Sequence, residues 1–182
     1  MKRNAYLFII SLSLFVLIGP LAKAEWLGDF GGQVRAFRQN DARTLESRNP
    51  LAIRGGIRRR KYDIYLEYAQ WKNAAGNGYI DVTETHQDLL MWFRKILIPD
   101  WKGLPYMAIG VGATRGLVKT ELNSVAEVQH GLLEPLAKAA LGGFIQVIQN
   151  IQLSVEMTAQ IPSPLGVQPE LGVGMYLGVR WY

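Results

Sequence analysis

Strict alternation at the carboxyl end is the feature that most constrains the fold of this chain. From Leu171 to Trp181 every second residue is apolar, and glycine, tyrosine or arginine stands between them. A period of two places alternate side chains on opposite faces of a β-strand, whereas a helical face requires a period of 3.6. A membrane-crossing strand has about 9 to 11 residues, and aromatic residues settle at the membrane boundary. The segment is therefore predicted to be a strand with one lipid-facing side.

The amino end indicates export. An apolar run over residues 5–21 follows two cations, and an A-x-A cleavage pattern ends at Ala24. The run could also be a retained membrane helix, but a helix needs about 20 apolar residues to span a bilayer. We therefore expect residues 1–24 to be a removed signal peptide and residues 25–182 to form a single outer-membrane β-barrel domain.

Charge and cysteine content exclude several classes of function. The signal peptide carries three cations and no acid, so its removal lowers the formal net charge from +5 to +2 and argues against nucleic-acid binding. The absence of cysteine excludes a lipoprotein anchor, a disulfide framework and a cysteine-based metal site. The two histidines, His86 and His130, have no clustered ligands. We expect neither a metal nor a cofactor.

Eight segments of the mature chain have the pattern of strands. The fourth is apolar on both faces over residues 89–93, so its period alone also allows a short buried helix. A tight connection follows it, which favours a strand. The eight candidate strands span residues 26–38, 51–59, 62–71, 82–98, 104–114, 135–149, 151–161 and 168–182.

The connections between these strands alternate in length. An up-and-down barrel with both termini in the periplasm predicts this alternation, because its periplasmic turns are short and its outer loops are longer. A Greek-key sandwich does not predict it. We therefore predict an all-β, closed, eight-stranded, antiparallel transmembrane barrel with no open edge in lipid. The longer connections are 39–49, 72–80 and 115–133, the short ones 59–61, 99–103 and 149–150, and the last, 162–167, is intermediate.

Charged residues fall mostly on the strand faces opposite the apolar rows. Turned outward, each arginine or lysine would cost about 2 to 4 kcal/mol near the membrane midplane. The interior of an eight-stranded barrel is just wide enough for side chains to fill it, so a paired charge network is expected to fill the lumen. Its predicted members are Asp29, Arg35, Arg54, Arg58, Asp63, Glu67, Asp88, Arg94, Lys138, Glu156, Glu170 and Arg180.

The barrel geometry also predicts roles for the aromatic residues and the glycines. The tryptophans near strand ends, together with the last residue, are predicted to form interfacial belts; Trp92 lies in mid-strand and is not explained by this rule. Glycines within the strands are predicted to make room for large inward side chains, with a ligand cradle as the alternative. The predicted interfacial aromatics are Trp26, Trp71, Trp101, Trp181 and Tyr182.

In pattern, the stretch from Trp26 to Tyr182 resembles the small eight-stranded outer-membrane β-barrel family that includes the OmpA barrel and OmpX. The resemblance implies insertion by the barrel-assembly machinery, which reads a final strand that ends in an aromatic residue. In this chain the outward aromatic is Trp181, and Tyr182 adds one residue out of phase. The expected partners are outer-membrane lipids and that machinery, and the expected state is a monomer.

Three functions remain open from the sequence. The first is a non-enzymatic envelope barrel, structural or adhesive, acting through outer loops such as 115–133. The second is a lipid A-modifying enzyme, but the His-x-Ser pair of the deacylase type is missing after both His86 and His130. A base formed by His86 with Glu84 and Asp88 would still allow such an activity. The third is a soluble periplasmic barrel that binds an apolar ligand.

Overall fold

Antiparallel strands make up nearly all of the chain that the computed structural model describes, namely residues 24–38, 45–76, 80–99, 103–122, 125–160 and 170–181. Within these residues no helix is long and apolar enough to cross a membrane. The strands are β1 (Glu25–Arg38), β2 (Leu45–Arg48), β3 (Leu51–Arg59), β4 (Tyr62–Gly76), β5 (Ile80–Ile96), β6 (Pro105–Leu122), β7 (Val125–Ile148), β8 (Ile151–Gln160) and β9 (Glu170–Trp181).

The strands close into a ring in chain order. Each pairs antiparallel with its neighbours, and β9 pairs back onto β1. β2 and β3 both pair with β1, at different heights, so they are two halves of one barrel position. The break between β2 and β3 lies at Asn49 and Pro50, where proline has no N–H to donate. The backbone N–H of Gln33 donates to the Pro50 carbonyl at 3.0 Å. The predicted eight-stranded up-and-down barrel is confirmed.

Strand register fixes the shape of the ring. The path of directly paired residues starts at Trp26 and returns to β1 at Ala36, ten residues further along the same strand. A stagger of this size requires strands strongly tilted from the barrel axis, as in closed barrels generally. The path runs through Trp26, Ile57, Ile64, Phe93, Ile109, Ala139, Ala159, Leu171 and Ala36.

The two faces of the sheet separate as the alternation predicts. In β9 the exposed fraction is 68% at Leu171 and 55% at Leu177, whereas Tyr176 between them is 1% exposed. The rows of β8 and β9 therefore point away from the barrel axis. A ring whose apolar side chains face outward and whose polar ones face inward is the arrangement suited to a lipid surround.

Several predicted loops are wrong. Within the predicted loop 115–133, residues 115–122 and 125–133 form the upper parts of β6 and β7, with a bulge near Gly116. Likewise, β4 continues to Gly76 and β5 starts at Ile80, inside the predicted connection 72–80, and β2 lies inside 39–49. The fourth candidate segment is a strand, so the helix alternative is excluded.

These continuations form a second region beyond the closed ring. We name it the hairpin extension and define it as residues 71–76, 80–87, 114–122 and 125–135. After Gln70, β4 pairs with β5 alone among the described strands. Before Lys138, β7 pairs with β6 alone among them, and this part of β7 lies at the same end of the barrel. The extension is thus a four-stranded sheet with two edges, at the end of the barrel opposite Glu25 and Trp181.

Parts of the predictions lie outside the described residues. They are nearly all of the signal peptide, the connection 162–167, and the aromatic residues Trp101 and Tyr182.

Candidate functional site

The centre of the lumen is organised around the Arg54 guanidinium. Its Nε donates to Glu67 at 2.6 Å, and its two terminal nitrogens donate to the Glu156 oxygens at 3.0 and 2.5 Å. The Tyr106 hydroxyl donates to the same Glu156 at 2.9 Å. The guanidinium carbon also lies 3.5 Å from the centre of the Tyr176 ring. One cation is thus held by two carboxylates and stacks on an aromatic face.

A second cluster lies nearer the end of the barrel that carries the termini. Arg58 donates to both Asp63 oxygens, at 2.6 and 2.7 Å, and Arg94 donates to one of them at 2.6 Å. At the same end, Arg180 donates to Gln152, which donates in turn to Asp29 at 3.1 Å. The fork geometry of arginine on a carboxylate is the strong form of this contact.

A third cluster closes the other end of the lumen, below the hairpin extension. Arg35 and Lys138 both donate to one oxygen of Asp88, at 2.6 and 2.8 Å. Arg35 also lies 4.0 Å from a Glu170 oxygen and donates to Gln33 at 2.7 Å. Acids and bases therefore alternate along the whole height of the lumen.

Burial matches this pairing for the predicted residues. Eleven of the twelve predicted lumen residues are buried, and Glu170 is the one of intermediate exposure. The network also includes residues that the charge criterion could not find, although each stands at an inward position of its strand. These are Gln33, Tyr65, Tyr106, Gln152 and Tyr176.

Aromatic rings fill the space between the charged clusters. Trp92, unexplained by the interfacial rule, is fully buried and stacks on Tyr65 with ring centres 6.1 Å apart. A Cβ added at Gly110 would lie 2.6 Å from the Trp92 ring, so the predicted packing role of glycine is confirmed there. It is wrong for Gly55, which faces outward with nothing within 4 Å. The lumen is filled by side chains.

The predicted interfacial aromatics divide into two groups. Trp26 and Trp181 pair across β1 and β9 and are half-exposed on the outer face, at the end that carries the termini. The prediction is wrong for Trp71, which is 8% exposed and points inward. Its ring stacks on His86 with centres 4.2 Å apart and planes 8° apart, at the base of the hairpin extension.

The two histidines lie in different environments. His86 is part of the inner stack just described, whereas His130 is exposed on the upper part of β7. In the described part of the chain, no three His, Asp or Glu side chains are grouped so that they could hold a metal ion.

The upper part of β7 is the most exposed edge of the hairpin extension. All of residues 126–135 are exposed, including Val128 at 51%, Leu132 at 85% and Leu133 at 71%. A strand edge with unpaired backbone N–H and C=O groups can template the pairing of another chain. Exposed leucines on such an edge add apolar contact area for a partner.

Comparisons with known proteins give matches of structure. No family model and no curated protein matches this sequence. Among solved structures, it is similar to Ail, the attachment invasion locus protein of Yersinia pestis, with a TM-score of 0.60, 10% identity and coverage of 87% of this chain and 99% of Ail. It is similar to neisserial surface protein A with a TM-score of 0.56, 12% identity and coverage of 86% and 95%. For the N-terminal β-barrel domain of Pseudomonas aeruginosa OprF the values are 0.51, 12%, 87% and 97%.

Proposed function

Starting from the fold of a small eight-stranded outer-membrane β-barrel, which this chain has, we propose that the protein is a non-enzymatic surface protein. The ring lies in the outer membrane as a closed plug, with both termini in the periplasm. The hairpin extension stands outside the cell and binds an extended segment of a partner. The single observation that carries this proposal is the exposed upper part of β7, above Lys138, which pairs with β6 alone among the described strands.

The filled lumen supports a role other than transport. Arg54 bonds to carboxylates from β4 and β8, and Tyr106 of β6 reaches one of them, so four strands are tied together across the axis. Opening a channel would require several of these buried ion pairs to separate. A barrel of this kind serves as a rigid platform.

The edge of β7 supports binding by strand addition. In that mode the backbone of an extended peptide continues the sheet, and alternate side chains of the peptide contact the edge strand. Val128, Leu132 and Leu133 supply exposed apolar surface. Among the solved structures with this fold, Ail is described as an attachment invasion locus protein. An adhesive role is consistent with an exposed edge of this kind.

Cysteine labelling tests the orientation. Because the chain has no cysteine, Val128→Cys and Gln149→Cys each introduce a unique thiol, one on the extension and one in the β7–β8 turn. On intact cells a membrane-impermeant maleimide should label the first and not the second, and both should react once the outer membrane is permeabilised. The opposite pattern would contradict the orientation, and recovery of the unlabelled protein in the soluble fraction would contradict the membrane location.

Peptide selection tests the binding mode. Random linear peptides are displayed on phage and selected on the protein in lipid nanodiscs. Val128→Lys/Leu133→Lys serves as the comparison variant, because charges on an edge strand oppose strand addition. We expect recovered peptides of alternating apolar pattern that bind the native chain at least tenfold better than the variant. Equal binding to both would contradict recognition at this edge.

The lipid A-modifying alternative is less well supported. His86 stacks on Trp71 inside the extension, away from the lipid-facing surface. Mass spectrometry of lipid A from cells with and without the protein is expected to show identical acyl chains. A difference that His86→Ala or His130→Ala abolishes would overturn the non-enzymatic proposal. The soluble alternative needs its apolar rows turned inward, and those of β8 and β9 face out.

A further inference from the structure

The turn between β3 and β4 carries three consecutive cations. Arg59, Arg60 and Lys61 are all exposed, and Arg60 has a φ of 57°. In a two-residue hairpin turn this left-handed conformation favours glycine, asparagine or aspartate, because an L side chain is strained there. An exposed residue that violates the local rule in this way points to a functional reason for its presence. The β7–β8 turn at the same end, Gln149–Asn150, is neutral.

A fourth cation joins this turn on the outer face of the barrel. Arg59 pairs with Tyr62, which pairs with Lys95 on the next strand, so the three side chains form one row. All three are exposed on the outward face. Neighbouring strands are about 4.8 Å apart, so the two cations flank the tyrosine within reach of a single anionic group. We name Arg59, Arg60, Lys61 and Lys95 the basic rim.

The basic rim has no counter-charge among the described residues. None of its four side chains makes an ion pair with a residue in the described part of the chain. Lys95 pairs with the exposed Met107, and two residues before it stands Phe93, whose ring stacks on Tyr62 with centres 5.6 Å apart. This lysine is therefore surrounded by lipid-facing apolar groups. Its long stem lets the ammonium reach the headgroup layer, where a cation is tolerated.

From this arrangement we propose that the basic rim binds the headgroup phosphate of an anionic phospholipid in the leaflet that faces the turns. The cations supply charge complementarity, and the stacked Tyr62 and Phe93 rings supply an apolar surface for the first part of the acyl chains. The site holds lipid on one side of the barrel, beside β3, β4 and β5. This inference rests on the membrane location given under Proposed function.

Lipid selectivity in a bilayer tests the proposal. The mature chain is inserted into phosphatidylcholine vesicles that carry a small amount of spin-labelled phosphatidylglycerol or spin-labelled phosphatidylcholine, and relative association constants are measured by electron paramagnetic resonance. We expect a severalfold preference for phosphatidylglycerol that weakens with salt, because one cation near a lipid surface contributes about a fivefold change in affinity.

Matched variants locate the site. Lys95→Gln should lower the preference about fivefold, whereas Lys119→Gln should leave it unchanged, because Lys119 is an exposed lysine on β6 that makes an ion pair with Glu121. Arg60→Gly should also lower the preference while the barrel stays at least as heat-stable, because glycine relieves the turn. Loss of stability with Arg60→Gly would assign the residue a structural role and overturn its place in the site.

Two kinds of failure are distinguishable. A chain that inserts but shows equal association constants for the two lipids overturns this inference alone, as does a preference that survives Lys95→Gln and Arg60→Gly or falls equally with Lys119→Gln. A chain that does not insert into vesicles overturns the membrane location on which the inference depends.

Discussion

The ring and the hairpin extension are built from the same strands but are stabilised in different ways. In the ring every strand is paired on both sides, and the interior holds alternating acids, bases and aromatic rings. In the extension, β4 and β7 are each paired on one side by a described strand, and residues 126–135 are exposed. We therefore expect the ring to tolerate fewer substitutions than the extension.

The largest expected effect is the removal of the central cation of the ring. Arg54→Ala leaves Glu67 and Glu156 buried without their partner, which should lower the free energy of unfolding by about 3 to 5 kcal/mol. Urea titration in phospholipid vesicles, followed by tryptophan fluorescence, measures this. Arg115→Ala, in an exposed position of the extension, is the matched control and should change stability by less than about 0.5 kcal/mol. Similar effects of the two would remove the distinction between the regions.

Two glycines test the packing of the lumen. Gly110→Ala drives a methyl group into the Trp92 ring and should cost about 1 to 3 kcal/mol of unfolding free energy. Gly55→Ala on the outer face meets nothing within 4 Å and should be neutral or stabilising by up to about 1 kcal/mol. The same titration measures both variants. A neutral Gly110→Ala would mean that the lumen is more loosely packed than described.

Shortening the extension sharpens the comparison further. When residues 116–131 are replaced by a two-residue turn, the ring keeps all its described pairings below Arg115, so its unfolding free energy should change by about 1 kcal/mol or less. The shortened protein should still show heat-modifiable gel mobility but should lose peptide binding. Failure of the shortened chain to fold would show that the extension is part of the cooperative unit.

The smallest expected effect concerns the exposed ion pair of the extension. Lys119 and Glu121 lie side by side with about half of each side chain exposed, and such pairs contribute about 0 to 1 kcal/mol. Lys119→Met should be nearly silent in urea titration, whereas Lys138→Met removes a buried partner of Asp88 and should be clearly destabilising. Equal effects would contradict the assignment of the two lysines to different environments.

The ring was predictable because lipid on one side and a narrow lumen on the other impose a period of two. The extension was not predictable by the same rule. Above Arg115, β6 and β7 lie beyond the closed ring, so the apolar alternation is no longer required and the segment has the pattern of a polar loop. The position of Trp71 was predicted wrongly because the interfacial rule ignores which face of the strand a residue is on. Trp71 is on the same face of β4 as the buried Glu67 and Ala69.

The membership of the lumen network was also predictable, but its pairings were not. The partner of Arg54 on β8 belongs to a strand that is not its neighbour in the ring. Which side chains meet across the axis depends on the number of strands and on the ten-residue stagger. Neither quantity can be read from the alternation along a single strand.

The cross-axis bond between Arg54 and Glu156 has a consequence for assembly. A partly formed sheet with β3 and β4 in place and β8 absent would pair Arg54 with Glu67 alone, and the Glu156 carboxylate of β8 would be without its cation. Arg54 and Glu156 come into contact only when the barrel closes. We therefore expect the cost of an uncompensated charge to favour the closed barrel over partly formed sheets.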